Sequence, residues 1–295
     1  MLEGFHKTTI ETNGTTINLV YGGSGPPVLL LHGYPQTHVM WHKIAGPISQ
    51  QFTVVLPDLR GYGDSGKPDS DGDLNIYSKR TSAQDQVGVM NELGFENYHV
   101  VGHDRGARVG HRLALDHPSR VKSFTSLDVV PSQAAFDSMD SALSFAWFHW
   151  HLMRQPAPLP ETLIGNSSKV YVDFLLDNWT AVDGAITEEA YSEYLRCFSN
   201  PETIRATCMD YRAIEVDLQH DEIDRDRKLT CPVLVLWAGN MSKRQGWQTG
   251  ASLDILETWH ERATDVQGQP INCGHFLPEE APAEVTNHLL EFWNR

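Results

Sequence analysis

Gly102-His103-Asp104-Arg105-Gly106 is the stretch on which the fold turns. Its spacing is that of the G-x-S-x-G turn, where a nucleophile stands between a strand and a helix, with Asp104 in the place of the serine. The flanks supply that context. Tyr98-His99-Val100-Val101 is short and β-rich, as a buried parallel strand should be. Beyond the turn, the Val109/Leu113 pair with Ala107, Gly110 and Ala114 gives a helical period that ends at His117-Pro118. Gly102 and Gly106 allow the tight turn and the close approach of helix to strand.

Aspartate in this position changes what can be attacked. A serine that attacks an ester makes a second ester, which water opens. A serine that displaces a leaving group from an alkyl carbon makes an ether, which is a dead end. A carboxylate attacking the same carbon makes an ester that can be hydrolysed. Asp104 therefore points to displacement at sp³ carbon, at carbon–halogen bonds or epoxides.

Outward from the turn, strands alternate with helices, which implies a parallel sheet covered on both sides. Ile10 to Val20, broken at Asn13-Gly14, reads as a hairpin. Buried strands are expected at 28–31, 53–56, 123–127, 232–237 and near 266–271. Helices are expected at 40–48 and at 81–93, with Ser82 as a candidate cap, and at the C-terminus, where Val285, Leu289, Leu290 and Trp293 share a face. The stretch 132–220 breaks the rhythm: it is long, aromatic and helical in pattern. We read it as a helical cap inserted into an α/β core formed by 1–131 and 221–295, with Pro156-Ala157-Pro158-Leu159-Pro160 as a rigid loop.

Composition removes several classes. The chain has 295 residues and a formal net charge of −15, which argues against nucleic acid and anionic membrane surfaces as partners. An anionic substrate would need a local cationic trap. Cys197, Cys208, Cys231 and Cys273 have neither C-x-x-C nor zinc spacing and read as reduced, partly buried thiols of a cytoplasmic protein. The N-terminus shows neither a basic nor an apolar leader region, and no apolar run approaches a membrane span.

A base and an acid should sit at other strand ends. His275, in Asn272-Cys273-Gly274-His275-Phe276, follows the last strand and would activate water against an Asp104 ester. The acid has two possible seats. The later one, Ala238-Gly239-Asn240-Met241-Ser242-Lys243-Arg244, holds no carboxylate, so the earlier one assigns Asp128 to orient His275; the alternative is an ordinary turn aspartate. His32-Gly33-Tyr34-Pro35 ends the first buried strand, and the Tyr34 and Arg105 N–H groups would form an oxyanion hole. His32 reads as structural, and Arg112 as a structural ion pair. Arg105 and Arg108 lie i, i+3 on the first turn after the nucleophile, suited to gripping a carboxylate. The alternative is that they pair with core acids such as Asp58 or Asp128.

These residues resemble the fluoroacetate dehalogenases of the α/β-hydrolase superfamily over nearly the whole chain. The resemblance rests on 32–38, on Gly102-His103-Asp104-Arg105-Gly106-Ala107-Arg108, on Leu127-Asp128, His149-Trp150, Gln155-Pro156-Ala157-Pro158, Asp210-Tyr211-Arg212 and Gly274-His275-Phe276. It implies an α/β-hydrolase fold, a halide pocket made by His149, Trp150 and Tyr211, and a homodimer. The segment from Asn240 to Gln248 matches no pattern of that group. The expected activity is hydrolysis of small haloacids, haloacetates to glycolate, with no metal or organic cofactor. The rivals are an epoxide hydrolase using the same triad, a chloro- or bromo-acid dehalogenase with little action on fluorine, and a non-catalytic small-acid receptor.

Overall fold

The structure, a computed structural model, describes residues 1–240 and 254–295. Met241 to Gln248, most of the unmatched segment, lie outside the described residues. The described strands are β1 (His6–Thr12), β2 (Thr15–Gly23), β3 (Pro27–Leu31), β4 (Thr53–Pro57), β5 (Tyr98–His103), β6 (Val121–Leu127), β7 (Val233–Ala238) and β8 (Val266–Ile271). They form one sheet in the order β1-β2-β4-β3-β5-β6-β7-β8. The β1–β2 hairpin and the β2–β4 pair are antiparallel and the remaining pairs are parallel. This is the α/β-hydrolase fold.

The pattern of burial follows the sequence. Val28–Leu31, Val54–Leu56 and Val233–Leu236 are buried along their whole length, as strands covered on both faces must be. Helix His42–Ser49 packs on helix Pro282–Trp293, and helix Lys79–Glu92 packs on helix Arg105–Asp116. The hairpin turns at Asn13 and Gly14, both at positive φ. Between β6 and β7 the chain runs through successive helices from Ser132 to Ile223, slightly beyond 220.

Three local expectations need correction. The second core helix begins at Lys79, and Ser78, not Ser82, caps it by accepting from the Thr81 N–H. The Lys79 N–H also donates to Asp217 of the inserted region (2.7 Å), so a tertiary contact fixes this helix start. The expected helix at 40–48 is a 3-10 turn, His38–Trp41, followed by an α-helix, His42–Ser49. The proline stretch is only partly loop, because Leu159 and Pro160 open the helix Leu159–Gly165, where proline's missing N–H costs nothing. The four cysteines are free and buried.

Candidate active site

Asp104 stands at the end of β5 with φ 47° and ψ −116°, outside the ordinary regions for an L-residue. Packing holds it there. A Cβ on Gly106 would lie 2.2 Å from the Leu31 carbonyl oxygen, so the helix starts against the β3 backbone. The Tyr34 N–H donates to Asp104 Oδ1 (2.9 Å), which leaves Oδ2 as the other carboxylate oxygen. The Arg105 N–H lies in the helix's first turn and so has no intrahelical acceptor.

Asp128 ends β6, also at positive φ (57°). Its Oδ2 meets His275 Nδ1 at 2.6 Å, and its Oδ1 accepts from the Ala238 N–H (2.8 Å). The end of β7 thus props the acid with a backbone N–H, where the sequence showed no carboxylate. A carboxylate at Nδ1 fixes the neutral ring as the Nδ1–H tautomer, leaving the Nε2 lone pair free. Asp104, Asp128 and His275 come from the ends of β5, β6 and β8.

Charges in this cluster shift one another. Burial pushes the Asp104 carboxyl up, but His275, His103, the Tyr34 N–H and Arg105 outweigh it and hold it below its ordinary value. Burial pushes His275 down; its hydrogen bond to Asp128 and the charges of Asp128 and Asp104 raise it above 6.5. His32 is structural: its Nδ1 faces the Gly33 carbonyl (2.9 Å) and its Nε2 accepts from the Leu59 N–H (3.0 Å). Arg112 pairs with Asp224 (2.8 Å) and Asp116 (3.1 Å).

The two arginines differ. Arg105 is paired, but not with Asp58 or Asp128. Its Nε donates to Asp210 Oδ2 (2.7 Å) and its Nη2 to the Asp210 carbonyl (2.8 Å). Lys79 and the Tyr62 hydroxyl also donate to the Asp210 carboxylate. Arg108 donates only to neutral groups, the Val130 carbonyl (3.2 Å) and Ser132 Oγ (2.9 Å). Both side chains are buried, and Arg108 forms no ion pair among the described residues. Burial and the charge of Arg105 push Arg108 down to about 10. Asp210 is the residue that sequence reasoning passed over. It stood beside Tyr211 in a recognised motif, and only its distant partner, Arg105, marks its role.

His149, Trp150 and Tyr211 converge over this floor. His149 and Trp150 lie on helix Phe148–Met153 and Tyr211 on helix Pro201–Arg212. The Tyr211 ring centroid is 5.6 Å from that of His149 and 6.2 Å from that of Trp150. The Arg105 guanidinium lies 4.3 Å from the Tyr211 ring centroid, and that of Arg108 lies 4.9 Å from the Trp150 ring. Burial, ahead of neighbouring charges, pushes His149 down to about 3, so its imidazole is neutral. Arg105 Nη1, Arg108 Nε, His149 Nδ1 and the Tyr211 hydroxyl are buried polar atoms with no hydrogen-bond partner among the described residues.

The chain belongs to the alpha/beta hydrolase fold family, whose model matches residues 26–282, and it is a hydrolase. It is 39% identical over 295 residues to a fluoroacetate dehalogenase from Burkholderia sp, covering 99% of this chain and 95% of that protein. It is 34% identical over 286 residues to a soluble epoxide hydrolase from Corynebacterium sp. (strain C12), covering 95% and 94%. Among solved structures, one described as an alpha/beta hydrolase from Nostoc sp PCC 7120 superposes with a TM-score of 0.94 at 52% identity and 99% coverage of both chains.

Proposed function

We propose that the protein hydrolyses small 2-haloacids, haloacetates to glycolate and halide, through an ester on Asp104. One observation carries this reading: among the described residues a buried cation, Arg108, has no carboxylate partner and stands among buried polar groups that lack partners. An unpaired buried charge is costly and unsatisfied buried donors are rare, so such a cluster suits an anionic ligand.

In the proposed first step, Arg108 Nε and Arg105 Nη1 bind the substrate carboxylate. Asp104 Oδ2 attacks the α-carbon, and the carbon–halogen bond breaks as the ester bond forms. The halide leaves toward His149, Trp150 and Tyr211. Fluoride is a poor leaving group and needs hydrogen bonds as its charge develops. In the second step, His275 Nε2 takes a proton from water, and the hydroxide attacks the Asp104 carbonyl carbon. The oxyanion forms on Oδ1, facing the Tyr34 N–H. Its collapse releases glycolate, which takes back the proton held by His275, and leaves Asp104 as the acid; the second water proton then passes to solvent, which restores the Asp104 carboxylate.

The second reading is an epoxide hydrolase with the same nucleophile, acid and base. The free Tyr211 hydroxyl favours it, because an epoxide oxygen needs a proton donor. Arg108 weighs against it, since most epoxides carry no carboxylate. Purified enzyme assayed with fluoroacetate, chloroacetate and a styrene-type epoxide, reading halide and diol, separates the two. Free fluoride that disappears in Asp104→Ala supports the proposal; diol without halide sinks it. His275→Asn should trap the ester on the Asp104 peptide. Arg108→Ala should lower kcat/KM on haloacids about 10- to 100-fold, the worth of a charged hydrogen bond, and far less on a neutral haloalkane.

A further inference from the structure

His275 lies in the loop Gly274–Phe276, and every N–H of that loop has an acceptor. The Gly274 N–H donates to Glu280 Oε2 and the Phe276 N–H to Glu280 Oε1, both at 2.9 Å. Between them, the His275 N–H donates to the Trp179 carbonyl (2.8 Å). The His275 carbonyl in turn faces His103 Nε2 (2.8 Å). Glu280 Oε2 also accepts from the Ala181 (2.7 Å) and Val182 (3.0 Å) N–H groups, just past helix Ser168–Trp179 of the inserted region. One buried carboxylate thus collects four backbone N–H groups, two from the base loop and two from the insertion.

The contact is tight. A Cβ on Gly274 would lie 2.6 Å from both the Ala181 nitrogen and the Trp179 carbonyl oxygen. The Trp179 ring then reaches both halves of the site, 5.4 Å from the His275 ring and 4.8 Å from the His149 ring, centroid to centroid. Three of the four donors converge on Oε2 and the Phe276 N–H on Oε1; a carboxylate has acceptors for all of them, whereas an amide with its oxygen on the three would turn its own N–H groups toward the Phe276 N–H.

We infer that Glu280 is a positioning residue for His275, holding the base loop against the inserted helices and so setting the rate at which the Asp104 ester is opened. This rests on the two-step reading above, and only on its second step. His275 takes no part in the displacement, so a fault in its placement should appear in ester hydrolysis alone.

The test is Glu280→Gln, which keeps volume and loses charge, beside Glu280→Asp, which keeps charge and shortens the reach. Rapid-quench halide release gives the displacement rate, and mass spectrometry of the Asp104 peptide follows ester decay. The expected result is displacement within about twofold of wild type and ester decay slowed about 10- to 100-fold, the range for a catalytic group displaced by about an ångström. Burst amplitude counts the correctly folded sites, so partial misfolding lowers amplitude and leaves both rates readable. Unchanged decay in both variants, or equal slowing of both steps, overturns the inference. A wild-type enzyme that releases no halide refutes the haloacid reading instead, and the same partition is then measured with an epoxide. Absence of an Asp104 ester with either substrate overturns both.

Discussion

The proton of His275 is governed by three carboxylates, Asp128, Asp104 and Glu280, and Asp104 changes charge during the proposed cycle. In the resting enzyme Asp128 and Asp104, with Glu280 behind them, outweigh burial and raise the ring above 6.5. Once Asp104 is esterified its negative charge is gone, and Asp128, with a smaller contribution from Glu280, remains to favour the imidazolium. The ring then loses its proton at lower pH, in the state that needs a neutral base. The expected midpoint is therefore above 6.5 for His275 in the free enzyme, read by NMR of the ring, and lower in the ester, read from the pH dependence of ester decay. The sign is fixed: acid slows ester hydrolysis by protonating the base, and Asp104→Asn should move the free-enzyme midpoint down. A midpoint that stays put in Asp104→Asn would show that Asp104 does not act on His275.

The strand–turn–helix that carries Asp104 has little room to move. Asp104 holds a backbone conformation that costs about 1–3 kcal/mol and persists only where packing enforces it. Gly33 is part of that packing: a Cβ there would lie 2.5 Å from the Asp104 Cβ and 2.8 Å from His103 Nδ1. Gly33→Ala should therefore destabilise the protein by about 1–3 kcal/mol and lower kcat more than tenfold. Gly46→Ala is the contrasting change, since beyond its chain neighbours and the backbone of helix His42–Ser49 its Cβ would meet nothing within 4 Å. Because Pro47 follows and crowds a Cβ before it, the gain in helix propensity is offset, so stability should change by less than about 1 kcal/mol and kcat not at all, as thermal melts and turnover would check. If both substitutions behaved alike, the elbow would not be under packing constraint. Local patterns made these elements readable in advance: continuous apolar runs marked β3, β4 and β7, and Asn13-Gly14 marked the hairpin. The start of helix Lys79–Glu92 was not readable, because its first turn is pinned by Asp217, 138 positions away.

At the scale of the whole molecule, the fold gathers residues that no local window joins. Asp104, Asp128 and His275 could be placed from the sequence because strand ends in an α/β sheet converge. Asp210 could not be matched to Arg105, 105 positions away, because that pairing depends on how the inserted helices sit over the sheet. The same arrangement sets a global field against a local one. With a formal net charge of −15, the chain would repel the anionic substrate proposed above at long range, while buried Arg108 would attract it at contact. Raising ionic strength from about 0.01 to about 0.15 M shortens the screening length from about 30 to about 8 Å. That weakens the long-range repulsion and scarcely touches the buried contact. For haloacetate, kcat/KM should therefore rise severalfold over this range in a salt whose bulky anion cannot enter the site, while a neutral haloalkane should show no trend. A fall for the acid alone would mean that local cations, and not the overall charge, dominate the encounter.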